Sequence, residues 1–390
     1  MGTATGVVDT ETILADERVV DMQNEFRLLD SDTSQFMTIL NKLKSQPAIR
    51  EKVNWLEDQY FPNLSALAVA VVSVGTGTAG SVTVTTGEGV YFRAGDLVRI
   101  QSSNEIFEVI SVAGDVLTVT RNLSGSGTTG AAIGDKLLIV SNAAAQGADY
   151  GILKAMTRVL GFNYTQITRH PFGFTGTEVE IETYGRGDPM NEIAKKAVEH
   201  KRALENQLFF GTRKFTSAAP SSKGYMGGLA EFITTNVSAS IGTLSLTGLD
   251  SRLQDIFQYG SQNKVIFSAP TPARALSNLL SNNWVQAKPS DDVYGAKVNS
   301  FVTGAYGGSV PVIVKRDWGR FPATGNQYGG WMFVVDLDYV MKRPLRNRGT
   351  RLLRNRQGNG VDSVIHEYLT EMSMEVSQEK VHGILKGVTG

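Results

Sequence analysis

Residues 188–211 read DPMNEIAKKAVEHKRALENQLFFG and predict a helix of about six turns. Asp188 is a good N-cap residue, and Pro189 fits the first turn, where no N–H is needed. Gly211 predicts the end, because glycine adopts the left-handed C-terminal conformation without strain. Apolar side chains recur at helical spacing, with one lapse at Lys201. They are Met190, Ile193, Ala194, Ala197, Val198, Leu204 and Leu208.

The other faces of this helix are expected to be solvent exposed. Oppositely charged pairs four residues apart, Glu192 with Lys196 and Lys201 with Glu205, favour surface ion pairs. His200 lies between two charged neighbours and is expected to be partly exposed. One amphipathic helix is common to many folds, so the segments around it decide the interpretation.

Composition excludes several classes of protein. The 390 residues allow two or three domains, and 38 basic against 38 acidic residues give no overall excess that would favour nucleic-acid binding. The absence of cysteine excludes disulfides, thiolate nucleophiles and zinc–sulfur sites. Residues 1–20 lack a basic and apolar signal pattern, so no signal peptide is expected. The longest apolar run, Ala66 to Val72, is too short to span a membrane.

Residues 1–50 are predicted to form an extended arm followed by a short helix. The first 32 residues have a net charge of −6 and too few apolar side chains to fold alone. The helix should begin at Thr33 or Ser34, bury Phe36, and end before Pro47. Residues 51–67 are read as a lead-in segment to a strand. The acids of the arm are Asp9, Glu11, Asp16, Glu17, Asp21, Glu25, Asp30 and Asp32.

Residues 68–142 are predicted to form an inserted small β domain, either a barrel or a sandwich. Short valine-rich runs alternate there with glycine clusters. The expected strands are Val69–Val74, Val82–Thr85, Asp96–Ile100, Ile106–Ser111, Val116–Thr120 and Lys136–Val140. Two dinucleotide-type glycine patterns begin at Gly75 and Gly125, but neither opens a helix, so we interpret both as loop glycines.

The remaining segments alternate between helix and strand. Residues 143–186 should contain a helix at 148–160 and a strand at 178–183, where apolar and acidic residues alternate. Residues 187–224 hold the long helix and a following loop. The segment 225–330 reads as a separate α/β lobe. Its expected helices are Leu249–Tyr259 and Pro272–Ser281, and its expected buried strands are Lys264–Ser268 and Val310–Val314.

Residues 331–390 are predicted to contain two long strands, at 331–340 and 363–376, joined by a basic loop. No acid occurs between Asp338 and Asp362. The loop could be solvated, contact nucleic-acid phosphates, or bind an acidic protein surface. We favour pairing between subunits with the acidic arm, because the arginine fork suits carboxylates. The basic residues are Lys342, Arg343, Arg346, Arg348, Arg351, Arg354 and Arg356.

The sequence contains no recognisable catalytic, cofactor or metal site. HExxH, GxSxG and Walker motifs are absent. Asp336 and Asp338 would share one face of a strand, and an exposed strand face explains them without a metal. His366 and His382 have no partner at ligand spacing. We therefore expect a structural protein that is not an enzyme and needs no cofactor.

The order of these parts resembles the major capsid proteins of tailed bacteriophages, which have the Hong Kong 97-type fold. GRGDPMNEIAKKAVEHKRALENQLFFG (185–211) is similar to the spine helix of that family, followed by GYMGGLAEFI (224–233). WMFVVDLDYVMKRPLR (331–346), EYLTEMSMEV (367–376) and EKVHGILKGV (379–388) resemble its closing strands and its end. The resemblance covers residues 33–67 and 143–390 and leaves 68–142 as an extra domain.

The resemblance implies an α+β subunit of a phage head. The arm and an extended loop at 161–184 would reach over neighbouring subunits. The spine helix and long strands would form a peripheral domain, and residues 225–330 an axial domain. Pentamers and hexamers would enclose double-stranded DNA in a virion made in the cytoplasm of a bacterial host. Scaffold, portal and decoration proteins are expected partners; a membrane is not.

Two other functions stay open. An encapsulin-like compartment would share the fold but enclose protein cargo. A β-rich surface protein of the virion would use residues 68–142 to bind carbohydrate. The segment offers only Tyr91, Phe92 and Phe107 as aromatic contacts for a sugar.

Overall fold

The computed structural model describes residues 34–72, 79–123, 125, 128–147, 153–181, 188–217, 221–282, 299–302, 309–325 and 327–389. These residues form two compact units. Unit 1 contains the described residues up to Trp55 and from Leu160 onward. Unit 2 contains those from Leu56 to Val159.

Helices and strands together form the expected α+β fold. The helices are α1 (Gln35–Lys42), α2 (Gly176–Glu180), α3 (Asp188–Phe210), α4 (Leu229–Phe232), α5 (Leu246–Phe257) and α6 (Pro270–Asn282). The strands are β1 (Lys52–Glu57), β2 (Leu64–Ala66), β3 (Ala79–Thr83), β4 (Asp96–Ile100), β5 (Ile106–Ala113), β6 (Val116–Thr120), β7 (Lys136–Asn142), β8 (Val159–Tyr164), β9 (Gln166–Thr175), β10 (Lys214–Thr216), β11 (Lys223–Tyr225), β12 (Val237–Ser238), β13 (Gly242–Thr243), β14 (Lys264–Ser268), β15 (Asn299–Val302), β16 (Ser309–Val314), β17 (Met332–Asp336), β18 (Val340–Pro344), β19 (Arg351–Leu353), β20 (Ser363–Val376), β21 (Gly383–Leu385) and β22 (Val388–Thr389). Short 3-10 turns occur at Gly89–Tyr91, Arg316–Arg320, Tyr328–Gly330, Leu337–Tyr339 and Glu379–Val381.

The long helix predicted at 188–211 is confirmed as α3. Its apolar stripe is buried only in its C-terminal part, where Leu204, Leu208 and Phe209 join the core of unit 1. The Phe209 ring lies 4.8 Å from that of Phe36 in α1, measured between centroids. Met190, predicted on the same stripe, is 78% exposed. The spacing thus predicted the helix correctly but not the length of its buried face.

A six-stranded sheet in the order β12-β21-β17-β14-β16-β15 separates two hydrophobic cores of unit 1. Val265 and Phe267 of β14 lie in the core that contains α1 and the end of α3. Ile266, between them, lies in the core formed with α5 and α6. Since side chains of a strand alternate between faces, β14 is buried along its whole length. This confirms the buried strand predicted at Lys264–Ser268.

The same sheet crosses one predicted boundary and shortens one predicted strand. β17 pairs with β14, so residues on both sides of the predicted boundary at 330 share one sheet. The strand expected at 331–340 ends at Asp336, because a 3-10 turn at Leu337–Tyr339 redirects the chain into β18. β14 and β17 therefore lie in one sheet, and the division into an axial and a peripheral domain stays a prediction.

A second sheet of unit 1 is built on β20, which confirms the strand predicted at 363–376. β9 pairs antiparallel with residues 363–372 on one side of β20, and β18 and β19 pair on the other side. Phe172 and Phe174 of β9 are buried. Much of the extended loop expected at 161–184 is thus a strand of its own chain's sheet, because these phenylalanines need an apolar partner.

Two local predictions next to β9 are wrong. Residues 176–180 form α2 instead of the start of a strand, since the Thr175 hydroxyl accepts a hydrogen bond from the Glu178 amide at 3.3 Å and caps the helix. The helix expected at 148–160 is absent from residues 153–160. Leu153 is 86% exposed, so no apolar face supports a helix there.

Unit 2 is a six-stranded antiparallel sheet in the order β2-β7-β4-β5-β6-β3. The Ala68 amide donates to Thr83 O at 2.9 Å and the Thr85 amide to Ala66 O at 3.0 Å. These bonds join the two edges, so the sheet closes on itself. The strands at Asp96–Ile100 and Val116–Thr120 begin and end where the sequence predicted. That this unit is an insertion into a capsid fold stays a prediction.

Candidate inter-subunit site

The basic segment at 342–356 is part of a sheet and not simply a loop. Lys342 and Arg343 lie on β18, and Arg351 lies on β19. Both strands pair with β20, which places the acidic side chains of β20 beside them. Asn347 and Asn355 adopt the left-handed backbone conformation that lets the chain turn between and after these strands.

Three of the seven basic side chains are half-buried and bind groups of the same chain. Arg343 Nη1 lies 2.6 Å from Glu375 Oε2, and Arg348 forms an ion pair with Glu371. Lys342 Nζ donates to Asn41 Oδ1 at 2.6 Å, and burial lowers the pKa of this lysine. These three side chains therefore already have partners within their own chain, and their predicted pairing between subunits stays a prediction. Their partners come from β20 and from the end of α1.

The other four basic residues are exposed, and the structure gives none of them an ion pair with any described carboxylate. Glu367 bonds to Arg169, and this lowers its pKa, with a smaller electrostatic contribution from Arg356. Guanidinium groups left open to solvent can bind carboxylate or phosphate groups in a bidentate manner. These four residues are Arg346, Arg351, Arg354 and Arg356. The acidic arm that was predicted to bind them falls in residues 1–32, outside the described residues.

Glu205 of α3 is the first of three polar residues that are buried although the sequence predicted them to be exposed or partly exposed. It was expected to pair with Lys201 on the surface, but it is buried and forms an ion pair with Lys315. Its carboxylate also accepts the Phe36 and Met37 amides, each at 3.2 Å. These amides belong to the first turn of α1, where helical N–H groups lack partners within the helix. Burial raises the pKa of Glu205, while Lys315 and the two amides act in the opposite direction.

Asp336 was expected on an exposed strand face with Asp338, yet it is fully buried. Lys264 Nζ donates to Asp336 Oδ2 at 2.9 Å, and to the carbonyl oxygens of Tyr259 and Val381 at 3.0 Å each. His382 Nδ1 accepts the Asp336 amide at 3.1 Å, and burial lowers the pKa of this histidine to about 4. The opposite charges are matched inside the fold, so neither Lys264 nor Asp336 is left buried without a partner.

His200 was expected to be partly exposed but is 1% exposed. Its Nδ1 lies 2.8 Å from Nδ1 of His170, and its Nε2 lies 2.7 Å from Thr370 Oγ1. The described residues contain no group of three or more His, Cys, Asp or Glu that could hold a metal ion. Within the same residues, no helix has both the length and the apolar character needed to cross a membrane.

Comparison with known proteins assigns the chain to a family. A model of the SU10 major capsid protein family matches residues 3–389. No curated protein matches the chain.

Solved structures with a similar fold include viral capsids and an encapsulin. A capsid chain of cyanophage A-1(L) is 13% identical with a TM-score of 0.49, and the match covers 99% of this chain and 100% of that one. The capsid of Myoviridae phage XM1 is 10% identical with a TM-score of 0.47, covering 96% and 99%. The SrpI encapsulin of Synechococcus elongatus PCC 7942 is 10% identical with a TM-score of 0.43, covering 60% and 78%. These TM-scores are below 0.5, so the family model, which spans nearly the whole chain, carries the assignment. The chain belongs to the SU10 major capsid protein family and is a major capsid protein of a phage.

Proposed function

We propose that copies of this chain assemble into a closed shell of pentamers and hexamers that encloses double-stranded DNA. The family match over residues 3–389 is the observation that supports this function. The chain acts as a building unit of the virion and not as an enzyme. It is made in the cytoplasm of a bacterial host, where scaffold, portal and decoration proteins join it.

Nuclease protection tests what the shell encloses. Particles purified from a producing host are treated with DNase, and their contents are then extracted. We expect protected double-stranded DNA of a defined length. Particles that contain only a specific cargo protein would contradict the proposal and favour an encapsulin-like compartment.

We also propose that the four exposed arginines bind the acidic arm of a neighbouring subunit. This surface, which we call the arginine surface, consists of Arg346, Arg351, Arg354 and Arg356. Its support is the difference between these side chains and Arg343 and Arg348, which already bind carboxylates of β20. The arm at 1–32 has a net charge of −6, which complements the arginine surface.

Reversing three charges of the arginine surface should block assembly without unfolding the subunit. For the triple variant Arg346→Glu, Arg351→Glu and Arg354→Glu, we expect a loss of closed shells of at least tenfold in sedimentation. The reason is that like charges would face each other at the contact. Circular dichroism should stay unchanged, because these side chains are exposed.

The matched control replaces the same three arginines by lysine, which keeps the charge but not the bidentate fork, and it should retain more assembly than the glutamate variant. Asp16→Lys, Glu17→Lys and Asp21→Lys, added to the glutamate variant, should restore shells if carboxylates are the partner. Normal shells from the glutamate variant would contradict the pairing. Failure of the arm substitutions to rescue would favour a phosphate partner instead.

A further inference from the structure

The N-terminal part of α3 makes polar contacts with the β9–β20 sheet. No described side chain of α3 before Leu204 belongs to the buried apolar core. His200 instead contacts His170 of β9 and Thr370 of β20. The Tyr368 ring stacks on His200 at a centroid distance of 5.9 Å, and its hydroxyl donates to Ile193 O at 3.2 Å. This junction therefore depends on hydrogen bonds that a proton can change.

The contact between the two histidines needs one N–H and one lone pair. Their Nδ1 atoms lie 2.8 Å apart, and His200 Nε2 lies 2.7 Å from Thr370 Oγ1, which is 2.9 Å from Thr350 Oγ1. A neutral imidazole carries one proton, so one Nδ1 can donate while the other accepts. The contact is satisfied only while one of the two Nδ1 atoms keeps its lone pair.

The charged groups of the surrounding elements are already paired with one another. Lys196 and Glu199 of α3 lie 2.7 Å apart. Arg169 of β9 binds Glu367 of β20, and Glu371 of β20 binds Arg348. The exposed Arg351 follows Thr350 and adds positive charge to this region. No described carboxylate forms an ion pair with either imidazole, so a second positive charge on the pair would find no counter-charge.

We propose that the His170–His200 contact is an acid-operated switch, in which a second proton on the pair releases the N-terminal part of α3 from the β9–β20 sheet. The hydrogen bond survives a first proton on the pair, because one Nδ1 still offers a lone pair to the N–H of the other. A second proton occupies that lone pair. Two N–H donors and two positive charges then face each other, and the hydrogen bond is lost.

The pKa of His200 gives the pH range of this step. Burial, and secondarily the nearby His170, lowers this pKa from 6.5 to about 4. The unfolded or opened chain binds the proton at higher pH than the closed form does. The stabilisation that unprotonated His200 gives the closed junction is therefore fully present above about pH 6.5. It is lost progressively as the pH falls toward 4. One proton is taken up per opening, which sets a maximum dependence of about tenfold per pH unit.

Hydrogen exchange of the full chain, corrected for the intrinsic effect of pH, tests the switch. Between pH 6.5 and 4.5 we expect protection of residues 190–200 and 166–172 to fall at least tenfold. Protection of residues 204–210 and 264–268 should stay within twofold. Equal losses in all four segments would indicate global acid unfolding, and no loss would exclude the switch; either result overturns the proposal without any variant.

His170→Asn supplies the discriminating variant. Asparagine can donate to His200 at neutral pH and, after its amide rotates, accept from a protonated His200, but it cannot gain a charge. We expect its junction to stay protected at pH 4.5. The matched control is His366→Asn on β20, which leaves the pair intact and should open like the wild type. A His170→Asn variant that opens as the wild type does would overturn the proposal.

Discussion

Lys264→Met is expected to destabilise unit 1 by about 3–5 kcal/mol, because it leaves the buried carboxylate of Asp336 without its counter-charge. Lys264 and Asp336 are both fully buried and 2.9 Å apart. Burial lowers the pKa of Lys264, and the bond to Asp336 opposes this effect. The loss should appear in urea unfolding followed by tryptophan fluorescence. No tryptophan occurs between residues 56 and 159, so this signal reports on unit 1.

The control for this prediction is Lys195→Met on α3. Lys195 is about half exposed, and its Nζ lies 3.6 Å from Glu192. An exposed pair contributes about 0–1 kcal/mol, so the control should unfold nearly as the wild type does. If Lys264→Met cost no more than Lys195→Met, the buried pair would not be a main support of the sheet.

Glu205→Leu is expected to have a second large effect and to act on α1. The substitution leaves Lys315 buried without its carboxylate partner and removes the acceptor of the Phe36 and Met37 amides. We expect a loss of about 3–5 kcal/mol. The rate of hydrogen exchange should also rise by a larger factor for the α1 amides than for the β14 amides, because only α1 loses hydrogen bonds directly.

A substitution on the same helix separates this effect from a general weakening of α3. Glu199→Leu removes a partly exposed carboxylate that pairs with Lys196, and it should cost less than about 1 kcal/mol. Adding Lys315→Met to Glu205→Leu should recover part of the stability but not the protection of α1. Unchanged α1 exchange in Glu205→Leu would mean that Glu205 does not hold this helix.

Local signals in the sequence predicted the elements best. The helical spacing from 188 to 211 and the apolar run at Lys264–Ser268 depend on neighbouring residues, and both elements formed as expected. The helix at 176–180 also had a local signal, because Thr175 and Glu178 match a capping box. We instead predicted a strand at 178–183 from the alternation of apolar and acidic residues, and that prediction was wrong for residues 178–180.

The charged and titratable groups could not be placed from sequence alone. Glu205 meets Lys315 across 110 residues, and His200 meets Thr370 across 170. Surface spacing rules assume that a polar side chain on a helix faces water, and they fail when a distant segment supplies a buried partner. A lysine that begins an apolar strand and an aspartate that ends one were the only hints of the Lys264–Asp336 pair.

The basic segment at 342–356 could be predicted only in part from the sequence. Its seven positive charges and the absence of acids nearby were evident from sequence. Only the pairing of β18 and β19 with β20 separates Arg343 and Arg348, which bind their own chain, from the arginine surface. The order of the segments indicated the phage major capsid proteins, and the family model confirms this prediction.

Cryo-electron microscopy of particles formed by the purified chain, with a co-produced scaffold where assembly needs one, tests the central claim most directly. We expect closed shells with five-fold vertices and six-fold faces, in which α3 and the β9–β20 sheet of each subunit fit the density. A chain that stays a monomer or a small oligomer in every condition, scaffold included, would contradict its function as a shell-forming subunit.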